Sequence, residues 1–370
     1  MSNGFARFAY GLILPHMQSD LLWNYSQAGW INTANALGYV IGAVLTFLLI
    51  RKIPAALLFA SGMIATSVFV LISGTSDNFW LLTLWRILSG IFTAPVFIAG
   101  SALAAALFPN DKQKNALAIA LYFGGGGLGI IISGAMLPAL FTLQGSAAWH
   151  QAWLILGILS LILCLPSIWA ASCLLTAVAG KKDGGSQTLP IRQMLPLFIG
   201  YGFFAAGYIV YITFVVAWMK ELSATAFMVA MVWITTGLAS VISPFVWRRI
   251  LARYDNGYPL ALTCIVVAAG TLLPLVLRGN IGLLLSAALF GIAVFIGPGA
   301  VTNFSRKNLP QESWGHAVAA FTVLFSICQT IGPVAAGAIG DLWGSISNGM
   351  FAAGVLLLLG AMVAARQKKL

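Results

Sequence analysis

The chain has 370 residues, 60% of them hydrophobic and only 7% charged, with a mean hydropathy of +0.97. Soluble domains carry roughly 25% charged residues, so this composition excludes one and specifies a polytopic membrane protein. A net charge of +11 would suit nucleic acid, but the basic residues gather in alternate loops between apolar blocks, which excludes that partner.

The first candidate span, GFARFAYGLILPHM, reaches Met17 in too few residues to cross roughly 30 Å of hydrocarbon. That points to a start that is clipped or placed late. A secretory signal peptide is disfavoured, because the segment has no A-x-A-like cleavage site and a weak basic leader. Arg7 stands three residues before Tyr10, so Arg7, Tyr10 and Gly11 share a helical face.

Windows without Asp, Glu, Lys or Arg follow at 21–50, 53–76, 87–110, 115–180, 193–219, 222–247, 256–277, 279–305, 313–340 and 342–365. Each supplies the roughly 20 apolar residues of a spanning helix, and 115–180 holds two around GSAAWHQA. Twelve spans result when the short first one is included.

The second span puts Asn32, Asn35 and Tyr39 on one polar stripe. Substrate or a hydrogen-bonded helix interface explains it about equally well. In the fourth, LTLWRILSGIFTAPVF, Arg86 lies too deep to snorkel easily. A charge at mid-membrane costs about 2.5–3.5 kcal/mol on insertion scales, so it needs a use. It either faces a central cavity, holding an anionic group or tuning a proton carrier, or anchors the carbonyls of a broken helix; the depth favours the cavity.

The fifth span carries Gly124, Gly125, Gly126, Gly127 and Gly129. No strand precedes this run and the Lys-Ser/Thr of a P-loop is absent, so it reads as close helix packing and hinging. Tyr208 and Tyr211 lie near the middle of the seventh span, away from the interfacial belt, and suit a cavity. The tenth span breaks at IGPG before Asn303, and the eleventh has Thr322, Ser326 and Gln329 on one face. Interhelical hydrogen bonding explains these last positions at least as well as a ligand does.

With a cytoplasmic N-terminus, the inside loops hold Arg51, Lys52, Lys112, Lys114, Lys181, Lys182, Arg192, Arg248, Arg249, Arg253, Arg306, Lys307, Arg366, Lys368 and Lys369, and the outside loops only Lys220 and Arg278. This positive-inside bias places both termini in the cytoplasm and makes anionic lipid a sufficient partner for the basic excess. Cys164, Cys173, Cys264 and Cys328 fall in spans with no C-x-x-C spacing, so neither a metal site nor a disulfide framework is expected, and no cofactor.

Linker composition occurs once, in AVAGKKDGGSQTLPIRQM. It divides the chain into an N-terminal bundle at 1–177, a cytoplasmic linker at 178–192 and a C-terminal bundle at 193–370. Sliding one half over the other lays Gly90 on Gly291, Pro109 on Pro310, Asp111 on Glu312 and Ala116 on Ala317. At a slightly longer shift WINT, from Trp30, meets WITT, from Trp233, and Asp20 falls close to the counterpart of Glu221. Register kept across a span, its loop and the next span argues for parallel repeats of six helices.

Six plus six helices with a basic linker is the layout of the major facilitator superfamily, whose halves enclose a midplane site and rock around it. LWRILSGIFTAP resembles that family's fourth-helix motif, Arg followed four residues later by Gly, here Arg86 and Gly90. GFARFAYGLILPHM with SQAGWINTANALGYVIGA resembles the YbfB/YjiJ-type branch, with its G-x-x-R-F-A-Y opening and Trp-Asn-rich second helix. The resemblance implies an all-α membrane protein of twelve transmembrane helices in two pseudo-symmetric six-helix bundles. Two departures stand out. The family's loop after the second helix carries Gly, Asp and several Arg, whereas this one keeps Arg51 and Lys52 without the Asp; Arg253 and Asp255 of RRILARYDNGYP are the alternative gate pair. In the fifth helix the family's Gly-Pro pairing is stretched, with proline delayed to Pro138.

All eight acids, Asp20, Asp77, Asp111, Asp183, Glu221, Asp255, Glu312 and Asp341, fall in loops or at helix ends. A coupling proton would therefore need Asp20, Glu221, or one of His16, His150 and His316, for which a plain interfacial role is the simpler reading. The expectation is a monomeric secondary transporter in the inner membrane that moves a small organic solute, anionic or electron-rich, by alternating access. An efflux pump for amphipathic, drug-like compounds is the alternative within the class. A transport-inactive sensor lacks the usual soluble extension, an enzyme lacks a convergent nucleophile, base or metal cluster, and a channel lacks a filter ring.

Overall fold

The computed structural model describes residues 1–2, 4–50, 52–108, 112–173, 189–310 and 313–370. Arg51, Asp111, Asp183, Glu312 and the linker through residue 188 lie outside the described residues. Among the described residues every regular element is helical. A π-helical turn, Gly4–Phe8, leads into α1 (Tyr10–Asp20). The N-terminal half continues with α2 (Tyr25–Leu49), α3 (Ala55–Ile72), α4 (Phe79–Ala106), α5 (Lys112–Gln144) and α6 (Trp149–Ser172).

The C-terminal half holds α7 (Leu195–Glu221), α8 (Ala226–Arg253), α9 (Tyr258–Val276), α10 (Asn280–Val294), α11 (Ile296–Asn308), α12 (Trp314–Trp343) and α13 (Ile346–Ala365). Eleven helical stretches are long and apolar enough to cross a membrane. One of them joins α10 and α11, which meet at Phe295, just before IGPG. Pro298 falls in the first turn of α11, where a missing N–H leaves no intrahelical bond unmade.

Local chemistry starts and stops the helices. Asn24 caps α2, accepting from Gln27 N while the Gln27 side chain accepts from Asn24 N. Thr225 caps α8 through Met228 N, and Ser345 caps α13 through Ser347 N. Gly344, at φ +74°, ends α12 in the left-handed conformation that suits glycine. Leu48, Ile162, Leu165, Phe245 and Val276 are exposed on the outer helix faces, as a lipid-facing surface requires.

The repeat is visible in packing. A Cβ on Gly90 would clash with the carbonyl of Asn35, and one on Gly291 with the carbonyl of Thr236. The shift that lays Gly90 on Gly291 also lays Asn35 on Thr236, the cap Asn24 on the cap Thr225, and Asp20 on Glu221. This register places Trp233 opposite Asn32, so the WINT/WITT pairing reflects local composition. At the ends of α1 and α7 the two acids act alike. Asp20 accepts from Trp149 Nε1 (2.8 Å) at the start of α6, and Glu221 from Ser345 Oγ (2.7 Å) and Ile346 N (3.1 Å) at the start of α13.

The halves meet along three helix pairs: α1 with α7, α2 with α12 and α5 with α8. Gly11 abuts the Ile212 carbonyl, Gly29 the Pro333 carbonyl, and Gly127 the side chains of Ser240 and Val241. The Gly11 and Gly29 contacts sit between the middle of the bundle and the face that carries Asp20, Glu221 and Asp341, as does Gly134 of α5 against the Trp233 side chain of α8, whereas the Gly127 contact lies at mid-bundle. The opposite face carries the C-terminus.

Candidate functional site

Two arginines, Arg86 buried and Arg7 half-buried, organise the middle of the bundle. Arg7 lies in the π-helical turn, where Ala9 N reaches back to Gly4 O (3.1 Å). Such widened turns recur at functional positions. Its Nη2 donates to Gln329 Oε1 of α12 at 2.6 Å, so the bond crosses from one half to the other. The guanidinium lies 4.5 Å from the centre of the Tyr39 ring. Tyr208 of α7 also donates to Gln329 Oε1 (3.1 Å). Arg7 has only donors to offer, which fixes the orientation of the Gln329 amide. Gln329 Nε2 is then left buried without an acceptor.

Arg86 is 1% exposed and belongs to the N-terminal half. Nη2 donates to Ala6 O (2.8 Å) in the π turn, and the guanidinium lies 4.8 Å from the Trp153 ring and 5.5 Å from that of Tyr10. Nε and Nη1 have no partner. Tyr10 donates to Ala28 O (2.7 Å), fixing its ring under the charge. This is the arrangement of an anchor bonded to the carbonyl of a broken helix, one residue before Arg7. No carboxylate among the described residues pairs with either arginine.

Of the second-span stripe, Asn35 donates to the Arg86 carbonyl (3.1 Å), within its own half. Asn32 donates to Thr213 Oγ1 (2.5 Å) across the halves, and Thr33 to Thr330 O (2.7 Å). Two expected positions lie apart from this cluster. Tyr211 bonds Ser286 Oγ (2.8 Å) and stacks on Phe290 at 4.0 Å, because its position on α7 faces α10. Asn303 donates to Leu251 O (2.8 Å), tying α11 to the end of α8. On the eleventh-span face, Thr322 bonds its own helix at Val318 O, and Ser326 Oγ is buried without a partner.

The glycines divide as well. Gly90, Gly127 and Gly129 stand at close backbone approaches and Gly125 lies near the Met1 nitrogen, whereas a Cβ on Gly124 or Gly126 would meet open space. At the C-terminal face Lys52 is exposed. Asp255 pairs with Lys369 (2.9 Å), while Arg253 turns over the Tyr254 ring at 5.7 Å. The sequence neighbours thus do not pair, because the chain end, tied by Gly257 N to Gln367 O, brings Lys369 to the carboxylate. Its ammonium, through the hydrogen bond first and its charge second, holds the Asp255 carboxyl below the usual carboxylate range.

Sequence reasoning did not find a latch at the opposite face. Asp341, near the end of α12, accepts from Tyr25 N (2.7 Å) with one oxygen and from Ser26 N (2.9 Å) and Ser26 Oγ with the other. These are the first orphan N–H groups of α2, so a carboxylate from one half caps a helix of the other. Tyr25 Oη also donates to Glu221, and Lys220 Nζ to Pro15 O (3.1 Å). The signal available in the sequence was NYSQ, a helix start, with an acid, Asp341, standing alone between two apolar windows.

An all-helical body of two repeated halves, with eleven membrane-long stretches among the described residues and a polar layer between the halves, defines the class: an MFS-type membrane transporter. Over residues 1–365 the chain matches the family described as "Uncharacterised MFS-type transporter YbfB", and it belongs to that family. It is similar to the inner membrane transport protein YdhP of Escherichia coli O157:H7, 24% identical over 96% of this chain and 91% of that protein. It is also similar to a chloramphenicol resistance protein of Streptomyces lividans, 29% identical over 32% of this chain and 30% of the relative. Among solved structures, a bacterial homolog of the human lysosomal transporter Spinster, inward-facing and unoccupied, matches with a TM-score of 0.73 at 16% identity, covering 98% and 93% of the two chains. The nucleoside transporter NupG matches with a TM-score of 0.68 at 16% identity, covering 98% and 95%.

Proposed function

We propose that the protein is a secondary carrier of a small anionic or electron-rich organic solute in the inner membrane, with both termini cytoplasmic. The observation that carries this reading is the surplus of buried donors. Arg86 Nε and Nη1, Gln329 Nε2 and Trp153 Nε1 have no acceptor, and Arg7 has no carboxylate beside it. An unmet buried donor costs about 1–3 kcal/mol, more when charged, so such a layer favours a ligand that supplies acceptors. Arg7 with Gln329, Tyr208 and Tyr39 forms the binding layer; Arg86 positions the turn that presents Arg7.

Alternating access follows from where the halves touch. The latch of Asp341 on the α2 N-terminus and the glycine contacts of Gly11, Gly29 and Gly134 hold the outer face shut. The reverse motion must break the latch and bring the cytoplasmic ends together, with the Arg7–Gln329 bond near the pivot. The protein acts as a carrier without bond-making chemistry. Drug export is the second reading, favoured by the aromatic lining and by the likeness of part of the chain to the chloramphenicol resistance protein.

The test is counterflow in proteoliposomes with labelled organic anions and, in parallel, nucleosides and chloramphenicol. Arg7→Gln should abolish exchange of the solute that the wild type moves while the melting temperature holds. Undiminished exchange in a folded Arg7→Gln protein would overturn this assignment.

A further inference from the structure

Gln329 is an unusual partner for a half-buried arginine in a bundle with no mid-membrane acid. Its amide oxygen is taken twice, by Arg7 and by Tyr208, while its nitrogen, on a residue 0% exposed, has no acceptor. A carboxylate in the same place would satisfy Arg7 bidentately, as guanidinium and carboxylate geometry allows, and would leave the amide free to donate to it. The amide oxygen therefore holds a position that an acid group fills better.

The surroundings are flat and aromatic on the cytoplasmic side of this bond. On α12, Phe325 stands one turn from Gln329 and shares its face. It stacks with Tyr201 (5.2 Å, 29°) and Tyr208 (5.5 Å, 23°), while Phe204 continues the row against Tyr208 (5.3 Å, 12°). Tyr201, Phe204 and Tyr208 are buried, but Phe325 is partly exposed. All of Phe325's ring partners belong to the C-terminal half. The row thus ends in a partly exposed phenylalanine one turn from an unmet amide donor and a guanidinium.

We propose that the solute is a planar aromatic acid, whose acid group displaces the Gln329 amide oxygen from Arg7 and whose ring lies along the Tyr201, Phe325 and Tyr208 row. This rests on the carrier reading and narrows it. It also assigns Gln329 an inverted role. In the empty protein the amide stands in for the solute's acid, keeping the two halves bonded through Arg7 until the solute arrives.

The experiment is ligand-induced thermal stabilisation of the purified full chain, with 2-naphthoate as the probe. Its saturated counterpart decahydro-2-naphthoate, neutral 2-naphthamide and cationic 2-naphthylmethylammonium are the comparators. Binding raises apparent stability by mass action. The naphthoate should bind roughly tenfold or more tightly than the amide and the ammonium, the scale of one charge-assisted hydrogen bond, and roughly several-fold more tightly than the saturated acid, the scale of one aromatic contact. Gln329→Met, which frees Arg7 but also removes the amide donor, should keep naphthoate binding within a few-fold of the wild type, and Gln329→Glu, which gives Arg7 a resident carboxylate, should weaken it.

Equal binding of the saturated acid would overturn the aromatic part, and equal binding of the amide the acidic part. Loss of naphthoate binding in a folded Gln329→Met protein would overturn the displacement. No stabilisation by naphthoate overturns the proposal as a whole. Nucleoside or chloramphenicol counterflow that aromatic acids do not inhibit would overturn only this class and leave the carrier reading standing.

Discussion

Replacing Asp341 with alanine removes an acid of α12 from the first two amides of α2 and from the Ser26 hydroxyl, all across the two halves. These bonds lie at the exposed end of the bundle, so water takes over the freed N–H donors and little desolvation penalty is left behind. The loss is then the charge at a helix N-terminus, about 0.3–1 kcal/mol, plus hydrogen bonds at the low end of their range, for a sum of about 2 kcal/mol. That corresponds to a roughly thirty-fold shift away from the state closed at the outer face. Thr33, buried between α2 and α12 and bonded to Thr330 O, gives the readout. A single cysteine there, in a background without the four native ones, should react with an impermeant maleimide roughly thirty-fold faster once Asp341 is alanine. Asp20→Ala, whose indole bond lies within one half, should leave the rate unchanged. An unaltered rate in the Asp341 variant would show that the latch contributes nothing to closure.

Arg86→Ala empties a fully buried site between the Trp153 and Tyr10 rings, a packing loss of about 3 kcal/mol, partly offset by removing an unpaired buried charge. A net loss of about 1–2 kcal/mol should lower the melting temperature, and Arg86→Met should restore most of it; an unchanged melting temperature would contradict the anchoring role. At the C-terminal face, the depressed Asp255 carboxyl means that its tie to Lys369 is fully present above the ordinary carboxylate range and is lost only as pH falls through its lowered value. A spin label at Leu370 should stay immobile at neutral pH and loosen only in strong acid, whereas Lys369→Ala should loosen it throughout. Release of the label near neutral pH would refute the pair.

Helix count, the repeat and the two arginines inside the bundle were legible because each has a one-dimensional signature. Charge-free windows mark spans, and a shared shift marks a duplication, down to Asp20 and Glu221 with matching roles. What stayed hidden is what depends on the partner helix. Arg86 and Arg7 look alike in sequence, but α6 brings Trp153 over the first and α12 brings Gln329 to the second. Tyr208 and Tyr211 are neighbours on α7, yet the rotation between them turns one to α12 and the other to α10. Asp255 sits beside Arg253 in the chain and pairs with Lys369, which only the return of the C-terminus explains. The break at Phe295 was announced by IGPG, whereas the π turn at Gly4–Phe8 has no sequence mark of its own.

The most direct test of two halves rocking about the Arg7–Gln329 layer is a pair of spin-label distances across them. One joins Leu22 and Leu342 at the latch face, both strongly exposed, and the other Lys52 and Arg249 at the opposite face. Measured in the wild type and in Asp341→Ala, the first distance should lengthen while the second shortens. Distances that stay fixed, or that lengthen together, would contradict alternating access in this protein.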